Sequence, residues 1–180
     1  MSCDDSDMKI VGAQPDLPAA DDTAEIASRL ATHKANGNLC RARRLGAVMA
    51  DEVSAVEGDH PSANAAYLTQ RRILLAFAVE VGLDAFLPDN LLAQTAQSVF
   101  FDTLRLTAPE FYEDLQESGA FSFYYLCVRD GRQVEAQVGK TFASLCGRPQ
   151  DLPLASEGQH LYTHFLQRVR RFTDSMGFVS

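Results

Sequence analysis

Ile73-Leu74-Leu75-Ala76-Phe77-Ala78-Val79 is the longest strongly apolar run in the chain, and its reading decides the fold. It is far shorter than the ~20 residues that cross a bilayer. It lies in the middle of a helical pattern that opens at Asp59-His60-Pro61, a cap followed by proline at the first helical position, and runs to about Gly82. Ala66, Ile73, Phe77 and Val81 mark the buried side of that pattern. Because Ile73 to Val79 is apolar all round, the segment reads as a central helix covered by neighbours on every side.

Toward the N-terminus, Leu39, Ala42, Leu45, Met49, Val53 and Val56 recur three or four apart, a second helix capped by Asn38 and stopped at Gly58. Before it, Ile26, Ala27, Leu30 and Ala31 form the stripe of a first helix, with Asp22 and Glu25 as a capping pair and Asn36-Gly37 as the stop. Toward the C-terminus, Pro88-Asp89 opens a fourth helix with Leu92, Ala96, Val99, Phe100 and Leu104 facing in. Thr107-Ala108-Pro109-Glu110 reads as the cap of a short fifth helix ending near Ser118. A sixth runs from Ala120 to the stop at Asp130-Gly131. A seventh carries Val134, Val138, Phe142 and Leu145, with Gly139 inside it as a point of close packing. The last spans about Ser156 to Met176 on a Leu161, Phe165, Val169, Phe172, Met176 stripe. No segment alternates polar and apolar, no hairpin turn joins two strand-like runs, and no repeat of fixed period is present. The expectation is one all-α domain over residues 21–180, with seven to eight mostly antiparallel helices, bundle-like or in stacked hairpins.

Residues 1–20 show no apolar period and contain Pro15 and Pro18, so they read as a disordered acidic tail. The formal charge of −8 is uneven, because residues 1–25 hold seven acids and one base, leaving a nearly neutral body. Arginine clusters occur at Arg41, Arg43 and Arg44, at Arg71 and Arg72, and at Arg168, Arg170 and Arg171. Each is a short patch on a helix, read as a solvated face or as ion pairs, and no nucleic-acid partner is expected. The start Met1-Ser2-Cys3-Asp4-Asp5 is acidic and unlike an export signal or presequence, which predicts a cytoplasmic protein with no membrane partner. The four cysteines, Cys3, Cys40, Cys127 and Cys146, are spread apart and are expected as free thiols, with Cys127 and Cys146 packing as small hydrophobes.

Few residues carry a chemical signature. Gly139-Lys140-Thr141 ends like a phosphate-binding loop, but Val134 stands where that loop needs glycine and the region reads as mid-helix. Asp21, Asp22 and Glu25 superficially resemble a magnesium box, yet they sit at a helix start, where the macrodipole favours acids without metal. Glu157, His160 and His164 share one helix face and form the only candidate metal set. They offer three ligands with no visible fourth, so no metal or other cofactor is expected. Half of the aromatics lie between Phe100 and Tyr125. Such a cluster is either the core where the fourth, fifth and sixth helices meet or the lining of an apolar pocket.

Two functions remain. One is a helical adaptor or regulator that presents a surface to another protein or to a second copy of itself. The other is a small-molecule-binding protein or enzyme, with its site near the Phe100–Tyr125 cluster or on the Glu157–His160–His164 face. An apolar patch left exposed on the outside favours the first and a deep closed pocket with a few inward polar groups the second.

Overall fold

The computed structural model describes residues 20–55 and 65–179, and among these there are eight helices and no strand. They are α1 (Ala20–Ala35), α2 (Asn38–Ala55), α3 (Ala65–Phe86), α4 (Asn90–Thr107), α5 (Pro109–Glu117), α6 (Ala120–Asp130), α7 (Val134–Leu145) and α8 (Leu152–Met176). The expected tail over residues 1–20, the Gly58 stop and the Asp59-His60-Pro61 start lie almost wholly outside the described residues. No helix among those described is long and apolar enough to cross a membrane.

The run that decides the fold sits at its centre. Every residue from Ile73 to Val79 is buried, with none more than 2% exposed. α3 achieves this by touching α2, α4, α5, α6, α7 and α8. Ala66, expected on its buried side, is exposed. The helix also runs past the expected stop at Gly82, to Phe86. A Cβ at Gly82 would lie 2.9 Å from Val169 Cγ1, so this glycine serves the crossing with α8 and not chain termination.

Contacts along the helices give their directions. Tyr67 meets Glu157, Phe77 meets Tyr162 and Gly82 meets Val169, so α3 and α8 run parallel. Glu52 pairs with Arg168 and Asn38 with Val179, so α2 runs antiparallel to α8. α7 and α8 form a tight antiparallel hairpin. Gly139 lies so close to the Ala155 carbonyl that any side chain there would collide with it. Gly46 approaches the Ala96 carbonyl of α4 in the same way. The expected antiparallel order therefore holds for the α7–α8 hairpin and for α2 against α8, while the long central pair is parallel.

Several helix starts differ from the sequence reading. Asn38 is the first residue of α2, and its own amide donates to Asn36 Oδ1 at 3.1 Å. Its buried side chain instead clamps the chain end: Nδ2 donates to the Val179 carbonyl at 2.7 Å, and Oδ1 accepts from the Val179 amide at 3.0 Å. Thr107 does not cap α5. It closes α4, its hydroxyl donating to the Thr103 carbonyl at 2.9 Å, and only Ala108 separates the two helices. α1 already includes Asp22, so that residue is not at the cap. α8 begins four residues before Ser156, where Asp151 accepts from the Leu154 amide at 2.9 Å. α4 opens after Pro88-Asp89 as expected, with Asp89 accepting from the Leu91 amide at 2.7 Å, and Gly131 ends α6 with a left-handed φ of 66°.

Candidate functional site

Glu157, His160 and His164, the candidate set on one face of α8, are not brought together. Glu157 turns inward and accepts the Tyr67 hydroxyl of α3. Burial and this contact push the Tyr67 phenol up to about 12. His160 and His164 are exposed, and His160 Nδ1 lies 2.9 Å from the Ser156 carbonyl of its own helix. Residues three and four apart share a helix face, but here the inner edge of that face belongs to α3 and the outer edge to solvent. Among the described residues, no group of three or more His, Cys, Asp or Glu side chains is arranged to hold a metal ion.

The aromatic cluster divides around α3. Phe77 is its hub, with ring centroids of Phe121, Tyr124, Tyr125 and Tyr162 at 5.4, 5.1, 5.1 and 6.2 Å. Phe100 is fully buried on α4 and meets Phe101 edge-on, and Phe111 of α5 lies beneath the Arg72 guanidinium. The rings of α6 and α5 therefore converge on the central helix, not on a meeting of α4, α5 and α6, while Phe100 and Phe101 pair on α4. Tyr124 lies wholly in the core, and its hydroxyl has no hydrogen-bond partner among the described residues. Burial raises its phenol far above the ordinary range. Phe123 and Leu126 face outward from α6, each about half exposed. Cys127 packs in the core and Cys146 is half-buried, its thiol pushed up to about 11, chiefly by burial. Gly139-Lys140-Thr141 is mid-helix in α7, pressed on α8, with no room for a phosphate.

The arginine clusters are where the fold adds most. α2 and the end of α8 bring two of them, Arg41–Arg44 and Arg168–Arg171, to the walls of one groove. One part, of about 400 Å³, is lined by Arg168, Arg171, Phe172 and Ser175. The other, of about 410 Å³, shares Phe172 and Ser175 and adds Cys40, Arg41, Arg44, Val48 and Met176. Among the described residues, no carboxylate lines either part. Arg168 is paired with Glu52, and Arg41 donates to the Asn36 carbonyl at 2.8 Å. Arg44 and Arg171 are exposed and have no acidic partner among the described residues. Apolar walls of Phe172, Val48 and Met176 thus lie between four guanidinium groups. Sequence reading took each cluster as an isolated solvated patch. The antiparallel contact of α2 with α8, which joins them, has no local signal.

A second open groove, of about 220 Å³, runs between α1 and α4 along Ile26, Arg29, Asn90, Leu91 and Gln94. The expected buried stripe of α1 is not buried: Ile26 is 50% and Leu30 42% exposed. What holds α1 is polar. Arg29 pairs with Asp89, His33 Nε2 lies 3.6 Å from the same carboxylate, and His33 Nδ1 lies 3.3 Å from Asn38 Nδ2.

No family model, no curated protein and no solved structure matches this chain.

Proposed function

We propose that this chain is a helical protein-interaction module, an adaptor or regulator, and that the α2–α8 groove receives an acidic segment of its partner. The observation that carries this reading is the pairing of apolar walls with uncompensated arginines. Phe172, Met176 and Val48 offer apolar area to anchor on, and Arg44 and Arg171 offer charge that nothing described on the chain neutralises. Arginine and aromatic side chains are the usual anchors of protein interfaces, since the guanidinium is weakly hydrated and binds carboxylates in a planar fork. Complementary charge raises the association rate and selects among partners. The open stripe of Ile26 and Leu30 supports the same reading, since an amphipathic helix gains little by displaying its apolar side to water.

The test is selection from a displayed library of random dodecapeptides against the intact protein. Recovered sequences are expected to be rich in Asp and Glu around at least one large apolar residue, and to be lost when the bait is the Arg44→Glu/Arg171→Glu variant. Sequences indifferent to that double reversal would refute the groove as the docking face. A fragment of duplex DNA that outcompetes every recovered peptide at physiological salt would turn the reading toward nucleic acid.

A further inference from the structure

We propose that the groove takes a second copy of this chain: the acidic face of α5 from one molecule lies between α2 and α8 of the next. This rests on the reading of the groove given above and names its partner. The first argument is charge complementarity. α5 carries Glu110, Glu113, Asp114 and Glu117 and no base. Spaced by three and four, these carboxylates share one face of the helix, turned away from the buried Phe111 and Leu115. All four are exposed, and none has an ion pair among the described residues. The groove is the converse surface. It presents Arg41, Arg44, Arg168 and Arg171, and Arg44 and Arg171 lack an acidic partner among the described residues. Like charges three and four apart on a helix repel one another, and a row of guanidinium groups relieves that repulsion.

The second argument is shape. From Glu110 to Glu117 the acidic face runs ~10 Å at roughly 1.5 Å per residue, the same length as the α8 wall from Arg168 to Ser175. Leu106, four residues before Glu110, is 78% exposed, so acids and an apolar side chain adjoin along the chain, as arginines and Phe172 do along the groove. The third argument is placement. The Phe111 ring of α5 lies 4.6 Å from the Arg72 guanidinium, in the first half of α3. Arg170, at the groove end of α8, lies 5.8 Å from the ring of Phe86, the last residue of α3. Arg72 and Phe86 are ~21 Å apart along the helix at roughly 1.5 Å per residue. The two faces thus occupy opposite ends of the body, and α5 meets the groove of a neighbour, not its own. Such a contact is heterologous: each joined pair keeps one groove and one α5 free, so association proceeds head to tail beyond the dimer. One short helix in a groove is a small interface, and its ion pairs are screened by salt, so assembly is weak, concentration-dependent and favoured by low salt.

The test is sedimentation velocity of the intact protein, from about 5 to 500 µM in ~50 mM salt. The parent is expected to grow past a dimer as concentration rises and to return to monomer in ~1 M salt. Two variants block one face each: Arg44→Glu/Arg171→Glu the groove, and Glu113→Gln/Asp114→Asn/Glu117→Gln the helix. All five side chains are exposed, so the helical body is kept. Each variant alone should associate at least about tenfold more weakly than the parent. Their equimolar mixture should form a dimer of one molecule of each and nothing larger, because only one intact groove and one intact α5 remain to meet. A parent that stays monomeric at the highest concentration overturns the proposal. So does association that either variant leaves intact, since the contact then uses another face. A mixture no more associated than its two components overturns it as well. If the parent stays monomeric while dodecapeptide selection still depends on Arg44 and Arg171, only the second copy is refuted as the occupant. If the selection loses that dependence too, the docking groove itself falls.

Discussion

α3 and α1 both carry apolar residues at helical spacing, yet the fold treats them in opposite ways. α3 hides Ile73 to Val79 on every side, whereas α1 is exposed over most of its length and leaves Ile26 and Leu30 half in water. α3 is held by packing, and α1 by a few polar contacts to Asp89 and Asn38. Packing contacts are numerous and additive, so the first region should be stiff and costly to alter. Exposed ion pairs contribute little, so the second should be easily detached. The acceptor groove lies between these regimes: α2 and α8 are anchored in the core, but the groove they form is open.

The largest effects should come from the centre. Phe77→Ala removes the ring that four others meet and is expected to cost ~3–5 kcal/mol in chemical denaturation, and Phe100→Ala a similar amount. That is a large share of the stability of a typical domain. A Phe100→Ala variant as stable as the parent would mean that the ring lines a cavity and would revive the small-molecule reading. Gly46→Ala comes next. Its methyl would collide with the Ala96 carbonyl, so α2 and α4 must separate, at an expected cost of about 1–3 kcal/mol.

Glu80 of α3 lies at the edge of the core. Burial raises its carboxyl above the ordinary range, and one of its oxygens has no partner among the described residues. A raised carboxyl favours the folded state below the unfolded pKa of ~4.3, and that contribution is lost as pH rises through the folded value. At neutral pH the ionised group therefore costs stability, and Glu80→Gln should raise the melting temperature at pH 7 while gaining nothing at pH 4. A lower melting temperature at pH 7 would contradict this.

For α1 the sign is reversed. The Arg29 contact holds the Asp89 carboxyl below the ordinary range. The tether is therefore complete above the unfolded pKa of ~3.9 and weakens as pH falls through the lower folded value. Backbone NMR shifts of α1 should move toward coil values below about pH 4 while those of α3 stay fixed, and Asp89→Asn should show the moved shifts already at pH 7. The smallest effect belongs to the stripe itself. Ile26→Ala and Leu30→Ala should each change stability by no more than ~0.5–1 kcal/mol. A cost of ~2 kcal/mol or more would mean that something covers these side chains.

This contrast also marks what could be read from the sequence. The burial of Ile73 to Val79 was legible because a helix apolar all round needs cover on all sides, whatever its neighbours are. The stripe of Ile26 and Leu30 was equally visible, but periodicity reports amphipathicity and not the presence of a neighbour to pack on. The Pro88-Asp89 start of α4 and the Gly131 stop of α6 were legible because each acts on its own helix. Asn38 and Thr107 look like caps and serve other partners, one bonded to Val179 and the other to Thr103. The proposed site was not legible, since Arg44 and Arg171 lie on helices far apart in sequence. Glu157 and His160 show the opposite case: three apart on one helix, they take different surroundings, Glu157 against Tyr67 and His160 in solvent.

The arginine groove between α2 and α8 is proposed as the working face of the molecule. The most direct measurement is a map of backbone NMR shifts as the dodecapeptide recovered most often is titrated into the intact protein. The largest changes are expected at Arg41, Arg44, Arg168, Arg171 and Phe172, with α3 and Glu157 unmoved. Changes centred instead on Phe121, Tyr124 and Tyr125, or on Glu157 and His160, would contradict it and move the site to the aromatic cluster or to the opposite end of α8.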